Sequence, residues 1–270
     1  MSRWISRAPT PPGARSPRPR PPSRFCEIGW LVDDSKAGFI YGAPRALSKR
    51  PDASSRVPDP SPKGVNVCPA VLEIEAKTFE IPCPFNLNLK LGQNKQGNLA
   101  IAASGQARDG GISKKRLGQL VVLLDKQRWR HPQRPVVQIV TPYRFVTDDP
   151  VWINQMPPYD HFFQPAWPGL LLGGRYPADV WPRRLMFAFE WHDLTAALVI
   201  RRGDPWFYLR FDTPDPLQPI QVVAAEMTPD LRQYCAGLDG VTNYVNQTWR
   251  LFAEARARRP AKLLQRAPRS

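Results

Sequence analysis

Apolar residues alternate with polar ones over much of residues 71–225, the period of half-buried strands. In 183–192, Leu185, Phe187, Phe189 and Trp191 fall on one side of an extended chain, with Met186, Ala188, Glu190 and His192 on the other. After the turn Arg202-Gly203-Asp204-Pro205 the alternation resumes. Phe207, Leu209 and Phe211 then oppose Trp206, Tyr208 and Arg210, in residue types that favour strands. Residues 71–79 predict a first strand. Residues 84–91 predict a second, with Phe85, Leu87, Leu89 and Leu91 on one face, and 98–103 a third. Residues 136–141, 143–145, 151–153 and 219–225 extend the series. The run 117–124 is apolar but too short for its period to separate strand from helix. The prolines of 156–168 forbid a helix and interrupt any ladder.

The C-terminal part changes period. Thr228-Pro229-Asp230 is a helix start: a capping hydroxyl, proline at the first helical position and an early carboxylate. Leu231, Tyr234, Leu238, Val241, Val245, Thr248 or Trp249, and Phe252 then recur at steps of three and four along one helical face. The whole pattern predicts a mainly β protein, an antiparallel β-sandwich or β-clip-like body over 65–227 of roughly nine to eleven short strands. One C-terminal α-helix spans 228–258, a basic tail expected to fray covers 259–270, and a disordered arm covers 1–64.

The arm reading comes from proline. Of 32 prolines, 12 precede Val65, in a segment without the periodic apolar residues that would offset the entropy of ordering it. One island, 25–32, is apolar. The Arg/Pro/Ser mixture also fits translation from too early a start, in which case the arm is not native to the protein.

The net charge of +15 suggests a polyanion partner until it is divided along the chain. Residues 1–64 hold 12 Lys and Arg against 5 acids, and residues 249–270 hold 7 against 1; the remainder is nearly balanced. The basicity belongs to the ends, so any nucleic-acid binding is expected to be non-specific and to run through the termini. No apolar span of membrane length occurs and the four cysteines show no paired spacing, so no membrane partner and a cytoplasmic location with reduced thiols are expected.

Catalytic groups are sparse. His131, His161 and His192 all lie within 65–227, and Glu190 and His192 share a strand face, but no His-x-His or His-x-Asp pair occurs near His161 or His192. No metal or other cofactor is expected. There is no nucleophile elbow and no phosphate-cradling glycine loop. Trp181, Trp191 and Trp206, with His161 and His192, are the candidate binding residues, because tryptophan anchors ligand clefts and protein interfaces. Core packing is the competing explanation for the same rings.

The run Thr147-Asp148-Asp149-Pro150, then Gly173-Gly174, Asp179-Val180-Trp181-Pro182, Phe187-Ala188-Phe189-Glu190-Trp191 and Gly203-Asp204-Pro205-Trp206 resembles an uncharacterised family of phage and bacterial proteins. The likeness covers about residues 70–225, implies phage association and carries no catalytic residues. The order of a glycine, an acid–aromatic pair, a strand and a Gly-Asp turn is more distantly similar to the β-clip fold of dUTPases and dCTP deaminases. That resemblance places Asp179 at the family's acid and Trp181 near its aromatic, although the phosphate loop and the glycine-rich arm of those enzymes are missing. Two functions follow. The preferred one is a non-enzymatic binding or structural protein with a protein partner or a homo-oligomeric state, the Tyr234, Val245 and Phe252 face being one contact. The alternative is a nucleotide-processing enzyme with Asp179 as base and Mg²⁺ on the phosphates.

Overall fold

Phe187, Phe189 and Trp191, the inward set of the most regular alternation, are completely buried, and the sheets are arranged around them. The computed structural model describes residues 25–34, 38–49, 67–103, 114–241 and 248–268. The described strands are β1 (Cys26–Val32), β2 (Arg45–Ala46), β3 (Thr78–Pro82), β4 (Leu87–Gln93), β5 (Leu99–Ala103), β6 (Val121–Leu123), β7 (Val136–Val140), β8 (Tyr143–Val146), β9 (Trp152–Met156), β10 (Gly169–Leu171), β11 (Gly174–Pro177), β12 (Met186–Trp191), β13 (Leu198–Ile200), β14 (Pro205–Asp212) and β15 (Ile220–Ala224). The helices are α1 (Pro69–Lys77), α2 (Lys114–Leu120), α3 (Pro229–Val241) and α4 (Thr248–Arg258). Strand exceeds helix, 38% to 22%, so the protein is mainly β.

Among the described residues four sheets form, in the orders β15-β1-β8, β10-β12-β7-β6, β11-β9-β14-β3-β2 and β13-β4-β5. Their pairs are antiparallel, except that β1 runs parallel to β15. The turn before β14 closes on Gly203, whose φ of 92° suits glycine, while the Asp204 carboxylate accepts the Arg201 N–H at 2.9 Å. β14 lies between β9 and β3 and is covered on both faces: Trp206, Phe207, Tyr208 and Leu209 are all at 0% exposure. Trp206 meets Phe85 and Phe187 at ring distances of 5.9 and 6.0 Å, and Tyr159 stands edge-on over Tyr208 at 5.3 Å. Each fully buried side chain of this kind contributes about 1.5–3 kcal/mol relative to exposure.

Three expectations are corrected. Residues 71–79 are not one strand; α1 occupies most of them and β3 begins at Thr78. Pro69 sits in the first turn, Glu73 and Lys77 pair at 3.1 Å one turn apart, and Glu75 and Lys77 are buried while Leu72 is exposed. The alternating charges that mimic a strand here are helix pairs. The run 117–124 divides between α2 and β6.

The arm and body do not separate at residue 64. Island 25–32 is β1, with Cys26 and Ile28 at 0% exposure, and it pairs with β15 from Cys26↔Ile220 to Trp30↔Ala224. The remainder of the expected arm that lies in 1–24, 35–37 and 50–64 is outside the described residues. The single expected helix is described as two segments, α3 and α4, with 242–247 outside the description. Its start is as expected, since the Thr228 hydroxyl accepts the Leu231 N–H at 3.2 Å.

The tail is docked. Leu263 and Leu264 join Leu31, Val146, Leu231, Tyr234 and Ala255 in a second core beneath the helices. The Asp148 carboxylate accepts the Leu263 N–H at 2.7 Å, and Ala267 N–H donates to the Ala224 carbonyl at 2.9 Å.

Candidate functional site

β1 ends at Val32, and the Asp33 N–H still donates to the Pro142 carbonyl at 2.8 Å, which fixes the Asp33 side chain beside the start of β8. There Arg144, buried to 3% exposure within an otherwise apolar strand, donates from Nε to Asp33 Oδ2 at 3.0 Å. Its other nitrogens reach the Pro182 carbonyl at 2.9 Å and Asp239 Oδ2 at 3.4 Å. Arg184 donates to the same Asp33 Oδ2 through Nη2 at 2.8 Å and Nε at 3.1 Å. Arg116 on α2 pairs with Asp34.

Above this network lies a cleft of about 530 Å³, lined by Asp33, Asp34, Tyr41, Arg116, Arg184 and Arg232 among others. Its wall is firm. Tyr41 packs edge-on to Tyr143 at 5.6 Å, and the Tyr143 hydroxyl donates to the Gly42 carbonyl at 2.7 Å. Burial raises the pKa of both phenols, so both keep their protons at neutral pH. Burial also pushes the Asp33 carboxyl up, but the hydrogen bonds from Arg184 and Arg144 outweigh it and hold the group below its ordinary value. The cleft thus presents guanidinium groups whose orientation is set by fixed carboxylates, the geometry suited to planar carboxylate or phosphate groups.

The residues singled out from sequence are not gathered there. Trp191 and Trp206 are at 0% exposure, and the Trp191 indole N–H donates to the Ala196 carbonyl at 3.2 Å. A binding role for these two is corrected to core packing, since no ligand in solvent reaches their rings. Trp181 is half-buried, 5.4 Å from Phe252 and capped by the Arg183 guanidinium at 4.7 Å, a contact that seats α4. The His161 ring lies 4.4 Å from Phe163, which stacks on Trp167 at 4.1 Å. His192 is exposed, its Nε2 2.9 Å from Oε1 of the buried Glu190.

Asp179 follows β11, and burial raises its carboxyl pKa against the opposing charges of Arg256 and Arg259. Arg256 stands 3.9 Å from the carboxylate, and Arg259 donates to the Asp179 carbonyl at 2.6 Å. A magnesium site asks for several oxygen ligands, whereas two arginines face this acid. Among the described residues no three His, Cys, Asp or Glu side chains come together in a metal-holding cluster. The residues around Asp179 do not fit the ion. The buried thiols do not offer a nucleophile either, because burial pushes Cys26 and Cys83 up to about 12 and Cys235 to about 11.

Tyr234 and Phe252, expected on an oligomer contact, are buried within this chain, the Tyr234 hydroxyl donating to the Val180 carbonyl at 2.6 Å and lying 2.8 Å from that of Ala255. Val245 lies outside the described residues. The cleft residues escape a reading of the sequence because each is a single charge on a separate element. One signal is present: Arg144 interrupts the apolar run Tyr143-Arg144-Phe145-Val146, and a charge in a strand buried on both faces demands a partner. No protein-family model matches the chain, and a search of curated proteins returns no match.

Proposed function

We propose that this is a non-enzymatic binding protein and that its ligand is a small anion bearing carboxylate or phosphate groups, held in the cleft between the end of β1, α2 and the start of α3. The observation that carries this reading is the convergence of Arg184 and Arg144 on Asp33 beneath a polar cleft also lined by Arg116 and Arg232. Guanidinium groups fixed before the ligand arrives lose little freedom on binding. The distribution of titratable groups supports binding over turnover, since Asp179, His161 and His192 stand on separate elements with partners of their own.

The alternative, a β-clip nucleotide-processing enzyme, has less support because its base, Asp179, faces arginines rather than further carboxylates. Thermal melting with inorganic phosphate, citrate and nucleoside monophosphates tests the proposal. A ligand present at a hundred times its dissociation constant stabilises the protein by about 2.7 kcal/mol, and Arg232→Gln is expected to remove most of that. Pyrophosphate release from nucleoside triphosphates with Mg²⁺, abolished by Asp179→Asn, would instead establish the enzyme.

A further inference from the structure

α4 buries Leu251, Phe252 and Ala255 and turns Trp249, Arg250, Ala253 and Arg256 outward. Trp249 is 76% exposed, and its ring meets Phe252 edge-on at 6.2 Å. The fold does not use this side chain for its core, and leaving so large an apolar group in water forgoes stabilisation that burial would give.

The ring does not stand alone. Phe252 continues to Trp152 at 6.2 Å, and the Arg175 guanidinium lies over Trp152 at 4.7 Å with its side chain 56% exposed. Arg256 is seven residues beyond Trp249, about 10 Å along the same face, with its side chain 70% exposed. Arg258, Arg250 and Lys262 are exposed nearby, against one acid on the helix, Glu254. The segment after α4 is held against the body by Arg259 and Asp148, so these charges have fixed positions.

We propose that the outer face of α4, with Trp249, Arg250, Arg256 and Arg175, binds single-stranded nucleic acid. An exposed indole stacks on any unpaired base, and flanking arginines follow the phosphates without reading sequence. A duplex offers no free base face to Trp249, and an acidic peptide supplies charge but nothing to stack. The face shares no residue with the cleft, so each is tested separately.

Fluorescence anisotropy of the full chain with a labelled oligothymidylate of twenty nucleotides is the experiment. Trp249→Ala is expected to weaken binding roughly tenfold to hundredfold with unchanged thermal melting, and Trp249→Phe to retain most of it. Arg250→Gln with Arg256→Gln should lower the slope of log affinity against log salt by about 1 to 2. Equal binding by Trp249→Ala, or equal affinity for a duplex of the same length, overturns the proposal. So does displacement of the oligonucleotide by polyglutamate at matched charge, which would assign the face to an acidic protein.

Discussion

Gly29, in the first described strand, lies directly beneath Leu264, near the other end of the chain: a β-carbon placed on Gly29 would stand 2.3 Å from Leu264 Cδ1 and 2.7 Å from Ala225 Cβ. The parallel β1–β15 pair and the docked segment around Leu264 meet at this point, so the first described strand and the last described segment belong to one packing unit. Gly29→Ala is expected to destabilise the protein by about 1–3 kcal/mol through overpacking. Because one close atom is the tip of Leu264, the cost should fall by about 1 kcal/mol in a Leu264→Ala background. Urea unfolding of the two single variants and the double variant measures this, and strict additivity would show that Leu264 does not cover Gly29.

The same packing makes β1 part of the folded body. A chain beginning at Phe25 should unfold cooperatively and resist trypsin, whereas one beginning at Ser35 loses Cys26 and Ile28 from the core and uncovers β15 and β8. Circular-dichroism melting and limited proteolysis distinguish the two; a stable, resistant body in the shorter chain would contradict the role assigned to β1.

How much of this was legible in the sequence depended on how local the determining contacts are. β4 and β12 follow from alternation, because buried and less buried positions alternate along each, whereas β14, buried on both faces, is marked by its aromatic and apolar residues instead. α1 was misread because Glu73, Glu75 and Lys77 alternate as a strand would, while the deciding contact, Glu73 with Lys77, is a helix spacing. β1 was read as an isolated island because its partner is β15, and parallel pairing across the chain leaves no hairpin signature. The tail is expected to fray because its basic residues mask Leu263 and Leu264, and the acceptor that holds them, Asp148, lies far from it in sequence. The cleft was hidden for the same reason, since Asp33, Arg116, Arg144 and Arg184 converge only through the sheet topology.

Asp33 gives the sharpest test of the cleft's electrostatics. Burial raises its carboxyl, but the Arg184 and Arg144 hydrogen bonds outweigh that and lower it below the ordinary value, so folding favours the ionised form. The resulting stabilisation is complete above the pKa of the unfolded carboxyl, about 4, and is lost as the pH falls through the lower folded value. Asp33→Asn should therefore lower stability at pH 7 by about 1–3 kcal/mol, because it weakens an acceptor of the buried Arg144. The loss stays moderate because Pro182 and Asp239 still accept from that guanidinium. Below about pH 4 the unfolded carboxyl takes up a proton and the wild-type advantage declines, to vanish once the pH has passed the lower folded value, so the gap between the two proteins should narrow from pH 5 to pH 3. Urea unfolding at pH 7, 5 and 3 measures the gap between them, and a gap that stays constant across this range would show that the Asp33 charge does not hold the arginines.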